Sequence, residues 1–141
     1  MKIGDKIPAI PGINAEGKPL IIYFYPKDNT SGCTAEACSL RDGYDKLREM
    51  GYEVIGISKD SEASHQKFAA KHSLPFPLVS DTSTDINQAF GVWQMKKMCG
   101  KEYMGTVRTT FITDANHKIT HIISKVDTKN AADQIISLLN K

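Results

Sequence analysis

Long apolar runs are missing from this chain: no stretch approaches the 18 or so continuous apolar residues of a membrane-spanning helix. The opening Met1-Lys2-Ile3-Gly4-Asp5 is polar and lacks the apolar core of a secretory signal, so the expectation is a cytoplasmic protein with no membrane partner. An excess of one charge is also absent. The net charge is +2, the basic residues are scattered, and the one local cluster, Lys96, Lys97 and Lys101, reads as a solvated loop, which argues against nucleic acid as a partner. Cysteine is scarce. Three in 141 residues is an odd count at low density, unlike the paired frameworks of small secreted domains, and points to a reducing compartment with functional thiols. Repeats and low-complexity tracts are lacking, and 40% apolar with 24% charged residues fits one globular domain over residues 1–141.

What is present alternates between strand and helix. Leu20 to Tyr25 is apolar at every position, the pattern of a strand buried on both faces, and Pro26 ends it. Thr34 to Met50 carries Ala37, Leu40, Tyr44, Leu47 and Met50 at helical spacing, with Gly43 a weak spot and Gly51 a stop. Tyr52 to Ser58 reads as a second strand, Glu62 to His72 as a helix with Phe68 and Ala69 inward, and Phe76 to Ser80 as a short third strand. Asp81, Thr82 and Ser83 offer caps for a helix through Ile86, Ala89 and Phe90 that Gly91 closes. Val92 to Gly105 is expected to be a loop, Thr106–Thr113 and Lys118–Val126 an antiparallel hairpin, and the end of the chain a helix capped by Asp127 or Thr128. The order implies an α/β fold with a mixed central sheet and helices on both faces, as in thioredoxin.

The chemistry gathers at Asp28–Cys38. Cys33 sits where a strand gives way to a helix, and backbone N–H groups and the helix dipole there favour a thiolate. Cys38 follows five residues on; that length of helix rises about 7.5 Å and leaves the two Cα atoms roughly 8 to 9 Å apart. A disulfide rarely spans more than about 7 Å, so a bond between them requires the helix start to unwind. Three readings stand open. The thiols can be core packing, more naturally for Cys38 on its apolar stripe than for Cys33 in a polar turn, where burial has no obvious purpose. They can be zinc ligands, since Cys33-x4-Cys38 and His117-x3-His121 both have zinc spacing, although His117 falls in a turn and His121 on a strand. Or they do redox chemistry, for which Arg108, alone on an apolar and Thr-rich strand, is the candidate cation beside Cys33.

Tyr23-Phe24-Tyr25-Pro26-Lys27-Asp28, Thr30-x-Gly32-Cys33-Thr34-x-Glu36-Ala37-Cys38, Arg41-Asp42, Phe90-Gly91-Val92-Trp93 and Arg108-Thr109-Thr110-Phe111 resemble the peroxiredoxins, most closely the bacterioferritin comigratory protein or Q-type branch. The resemblance implies a thiol peroxidase of thioredoxin-like fold acting on hydrogen peroxide and organic hydroperoxides. It makes Cys33 the peroxidatic and Cys38 the resolving cysteine. Pro26 shields the pocket, Thr30 hydrogen-bonds peroxide and thiolate, Arg108 stabilises the thiolate and the transition state, and Glu36 orients Arg108. It further implies an intramolecular disulfide reduced by thioredoxin or a similar dithiol protein, a monomer, and no cofactor or metal.

Three departures stand out. Ser31 replaces the branch's usual proline, Cys99 replaces an aromatic residue and reads as a bystander, and the region between Gly17-Lys18 and Leu20 looks roughly ten residues short, leaving a reduced N-terminal hairpin. The rivals are a general thiol–disulfide oxidoreductase, which usually uses a Cys-x-x-Cys spacing absent here, and a noncatalytic zinc or binding module.

Overall fold

The computed structural model describes residues 1–13 and 16–140, the side chain of Met98 apart. In chain order the elements are β1 Leu20–Phe24, α1 Ser31–Asp42, α2 Tyr44–Glu49, β2 Glu53–Ser58, α3 Glu62–His72, β3 Leu78–Ser80 and α4 Asp85–Ala89. They continue with β4 Trp93–Met98, β5 Lys101–Thr106, β6 Thr109–Thr113, β7 Ile119–Ile123 and α5 Ala131–Leu139. Among the described residues five strands form one mixed sheet in the order β3-β2-β1-β6-β7, with β1, β2 and β3 parallel and β6 and β7 antiparallel to their neighbours. The wholly apolar β1 lies at its centre, buried at every position.

Because side chains alternate along a strand, β1 feeds two cores. Ile21 and Tyr23 join Leu40, Leu47, Phe76 and Ile135 beneath α1, α2 and α5. Leu20, Ile22 and Phe24 join Ile7, Ile10, Phe90 and Phe111 on the other face, where Ile86 of α4 also packs. Helices therefore cover both faces, and β1 hands its end directly to the start of α1.

Four expectations change. The helix foreseen over Thr34–Met50 begins at Ser31 and divides at its weak spot Gly43, where an added Cβ would lie 2.5 Å from the Ala132 Cβ of α5, so the position has no room for a side chain. The expected loop Val92–Gly105 is an antiparallel hairpin, β4 on β5, turning at Cys99 and Gly100, both at positive φ as a tight hairpin turn requires. It escapes a pattern search because Gln94, Met95, Lys97, Glu102, Tyr103 and Met104 are all exposed, leaving no apolar alternation. The strand expected over Thr106–Thr113 splits as well, so that Arg108 lies in the two-residue connection from β5 to β6, not within a strand. At the front, no strand precedes β1 among the described residues; instead Lys6 bridges Lys118, and the Gly4 N–H donates to the Ile119 carbonyl at 2.8 Å.

Other local signals hold. The Asp81 carboxylate accepts from the N–H groups of Ile86 and Asn87 at the start of α4. Asp127 caps a single 3₁₀ turn over Thr128–Asn130 that leads into α5.

Candidate active site

Between β1 and α1 the chain makes a tight passage. Pro26 is half-buried, Asn29 takes a left-handed φ of 62°, which asparagine tolerates, and Thr30 is extended as the residue before the helix. The Thr30 hydroxyl donates to the Lys27 carbonyl at 2.9 Å, while the Thr30 carbonyl accepts from the Thr34 N–H at 2.9 Å, starting the helical ladder. Cys33, third in α1, is 1% exposed.

Arg108 reaches this buried sulfur from the β5–β6 connection. Its Nη2 donates to Cys33 Sγ at 3.2 Å and its Nη1 to Glu36 Oε1 at 2.6 Å. Glu36 lies one turn along α1 from Cys33, so one guanidinium grips a thiol and a carboxylate on the same helix face. Gly32 leaves room for it: an added Cβ would stand 3.3 Å from Nη2.

Burial pushes the Glu36 carboxyl up to about 7 against the pull of Arg108. Burial also works against the Arg108 charge, but Glu36 and the Cys33 sulfur outweigh it and hold the guanidinium protonated. Two side-chain atoms close to this centre are buried without a hydrogen-bond partner among the described residues, Glu36 Oε2 and the Tyr23 hydroxyl. Burial first, then the charges of Glu36 and Cys33, raise the Tyr23 phenol well above its ordinary range.

Cys38 is half-buried, with Sγ 3.8 Å from His72 Nδ1, and Arg41 Nη1 donates to the His72 carbonyl at 2.9 Å. The burial expected of the two thiols is thus reversed: the sulfur in the polar turn is enclosed, with Arg108, itself paired to Glu36, as its polar partner, and the one on the apolar stripe is partly open. Both belong to one uninterrupted helix, and all three cysteines are free thiols. Cys99 is exposed at the hairpin tip. His117 and His121 join no metal-competent cluster with the cysteines among the described residues.

A second group of polar residues, not foreseen from the sequence, lies behind the passage. Asp28, Asp60 and His65 bring ligand atoms within 4.8 Å of one another, but the inward atoms are spent on hydrogen bonds among themselves and with Tyr25, Ser58 and Ser64. The available signal was the i, i+3, i+4 alignment of His65 with the inward Phe68 and Ala69 on α3.

Residues 12–122, the stretch that carries this entire arrangement, match the AhpC/TSA family. The chain belongs to that family. It is 43% identical over 124 residues to peroxiredoxin Bcp of Bacillus subtilis (strain 168), covering 88% of this chain and 79% of that one. To peroxiredoxin Bcp of Escherichia coli (strain K12) it is 40% identical over 126 residues, covering 89% and 81%. Among solved structures, a cysteine-to-serine mutant of PrxQ from Xylella fastidiosa superposes with a TM-score of 0.89 at 29% identity, covering 99% of this chain and 96% of that chain. Xanthomonas campestris bacterioferritin comigratory protein, solved as trapped-intermediate and ligand complexes that bear on its alkyl peroxide reduction, gives 0.83 at 36% identity, covering 89% and 80%. The chain is therefore a peroxiredoxin of the Bcp/Q type, an enzyme of the thiol peroxidase class, with the thioredoxin-like fold of those relatives.

Proposed function

We propose that Cys33 is the peroxidatic cysteine of this peroxiredoxin and Cys38 its resolving partner. The Cys33 thiolate attacks the terminal oxygen of hydrogen peroxide or an organic hydroperoxide. An S–O bond forms, the O–O bond breaks, and the departing oxygen takes a proton to leave as water or an alcohol, so the peroxide is reduced and Cys33 becomes a sulfenic acid. Arg108 and the hydroxyl of Thr30 hydrogen-bond the oxygens as charge shifts between them, Glu36 holds Arg108, and Pro26 limits access of water. The Cys38 thiolate then attacks the Cys33 sulfur; the S–S bond forms, the S–O bond breaks, and the departing hydroxide takes a proton to leave as water. This second step opens the first turns of α1.

The supporting observation is the bidentate grip of Arg108, 3.2 Å from the Cys33 sulfur and 2.6 Å from Glu36. A buried thiol kept merely for packing has no use for a guanidinium, whose own burial is costly unless it is paired. Thioredoxin or a similar dithiol protein completes the cycle by reducing the disulfide. The chain acts as one domain over residues 1–141, as a cytoplasmic monomer, and no helix among the described residues is long and apolar enough to cross a membrane.

Counting thiols after one equivalent of peroxide tests the assignment. The native protein should lose two thiols with no change in monomer mass beyond two hydrogens. Cys38→Ser should complete one turnover and then resist recycling by thioredoxin, and Cys33→Ser should consume no peroxide. Undiminished turnover by Cys33→Ser overturns the reading.

A further inference from the structure

The passage from β1 to Cys33 is fastened from behind by a buried pair that never touches the sulfur. Asp28, two residues before Thr30, is 4% exposed, and His65 on α3 is equally enclosed. His65 Nδ1 lies 2.8 Å from Asp28 Oδ2, and its Nε2 lies 3.1 Å from the Val79 carbonyl of β3. Both of those partners are acceptors. Two further neighbours, Ser58 Oγ at 3.4 Å from Nε2 and the Tyr25 hydroxyl at 3.4 Å from Nδ1, have their own protons committed to Asp60 Oδ2 and Asp28 Oδ1, each at 2.7 Å. With Asp28 held as the carboxylate by the hydroxyls of Tyr25 and Ser64, a ring facing acceptors at both nitrogens is satisfied as the doubly protonated imidazolium, and the pair is an ion pair.

Asp28 is fixed on every side. Its Oδ1 accepts from the Tyr25 hydroxyl at 2.7 Å, its Oδ2 also accepts from Ser64 at 2.7 Å, and its backbone N–H donates to Asp60 Oδ2 at 2.8 Å. The residue is thus tied through main chain and side chain to the β2–α3 connection and α3. From it the chain turns once, at Asn29, and arrives at Thr30, whose hydroxyl and carbonyl are both already engaged.

We propose that the Asp28–His65 ion pair is a positioning device for the peroxidatic step, holding the 26–30 passage so that Thr30 and Pro26 meet the peroxide at Cys33. The inference rests on Cys33 being the peroxidatic residue. Asp28 and His65 are positioning residues, since neither contacts the reacting atoms. A surface turn would need no buried ion pair; its cost is matched here by hydrogen bonds that specify one geometry.

The device carries a pH range. Burial opposes the charge on each partner, but the bonds from His65, Tyr25 and Ser64 outweigh it and hold Asp28 below the usual carboxylate range, and the bond to Asp28 raises the imidazole. The groups facing the ring are Asp28 and Tyr25 from the passage, Ser58 of β2, Asp60 of the β2–α3 connection and the Val79 carbonyl of β3. Glu62, Asp81 and Asp85 line the outer cavity that His65 borders and add only negative charge. Deprotonation on the alkaline side therefore leaves a ring nitrogen lone pair against an acceptor and loosens the fastening.

Two rates at Cys33 test this: oxidation by hydrogen peroxide, which needs the pocket, and alkylation by iodoacetamide, read by peptide mass spectrometry, which needs only an accessible thiolate. In His65→Gln the peroxide rate should fall roughly 10- to 100-fold while alkylation changes by less than about twofold. The native protein supplies a second readout that needs no variant. With the ring ¹⁵N signals of His65 followed from about pH 5 to pH 10, the ratio of the two rates should drop as the second ring proton is lost. A folded His65→Gln protein with the native ratio, or a ratio that stays flat while His65 titrates, overturns the positioning role. Failure of native Cys33 to react with peroxide at all overturns the peroxidatic assignment, and this proposal with it.

Discussion

Arg108 donates to the sulfur of Cys33 across 75 residues of chain, at 3.2 Å. The contact depends on planar, forked geometry, because the same guanidinium serves Glu36 through its other terminal nitrogen. Arg108→Lys keeps the charge but offers one compact ammonium that cannot occupy both positions. The peroxide rate measured by stopped flow is expected to fall by about 10²-fold or more, the effect of removing one donor aimed at developing charge. A lysine variant within a few-fold of native would show that charge alone suffices.

Glu36→Gln separates the anchor from its charge. Glutamine retains a carbonyl oxygen for Arg108, and it removes a carboxyl that burial raises to about 7. A carboxyl raised on folding adds stability that is present below its unfolded value and lost as pH rises through the folded one. Relative to Glu36→Gln, the native protein should therefore lose on the order of 3 kcal/mol between about pH 4.5 and pH 7. Urea midpoints of the two proteins measured across that range check it; parallel curves would show that Arg108 keeps the carboxylate fully ionised.

Tyr23→Phe should be neutral or slightly stabilising, by up to about 1 kcal/mol, because the hydroxyl it deletes is buried without a partner among the described residues. The ring itself stacks on Tyr25 at 5.4 Å and must remain. Thermal unfolding decides, and a marked loss of stability would mean that the hydroxyl is bonded in solution.

Gly43→Ala should destabilise the protein by roughly 1 to 3 kcal/mol despite alanine's better helix propensity. The added methyl would meet the Ala132 Cβ at 2.5 Å, forcing α5 off the α1–α2 junction. Chemical denaturation measures the cost, and a stabilised variant would show that the break follows from glycine's weak helix propensity alone.

The parts of the fold that were legible are those whose burial is written in residue type. The unbroken apolar β1 announced a central strand, and the isolation of Arg108 among threonines and apolar residues announced a buried charge in search of a partner. The β4–β5 hairpin left no such trace, because Gln94, Met95, Lys97, Glu102, Tyr103 and Met104 face solvent and its pairing rests on the backbone and a tight turn. Arg108 also escaped its assigned strand, since only tertiary structure shows that pairing stops at Thr106 and resumes at Thr109. For His65 the alignment with Phe68 and Ala69 signals burial but not role, because its meaning comes from Asp28, 37 residues earlier.

The division of the helix at Gly43 has a mechanical consequence for a cycle in which Cys33 and Cys38 must meet. Just past Cys38, the Ser39 hydroxyl accepts from the Ala132 N–H at 3.1 Å, and beyond Gly43 a separate helix begins. Melting that starts at Ser31 thus runs into a post moored to α5 and then into a firebreak. On the proposed pairing of Cys33 with Cys38, the unwinding is confined to the first turns of α1, which are undone and rebuilt at each turnover.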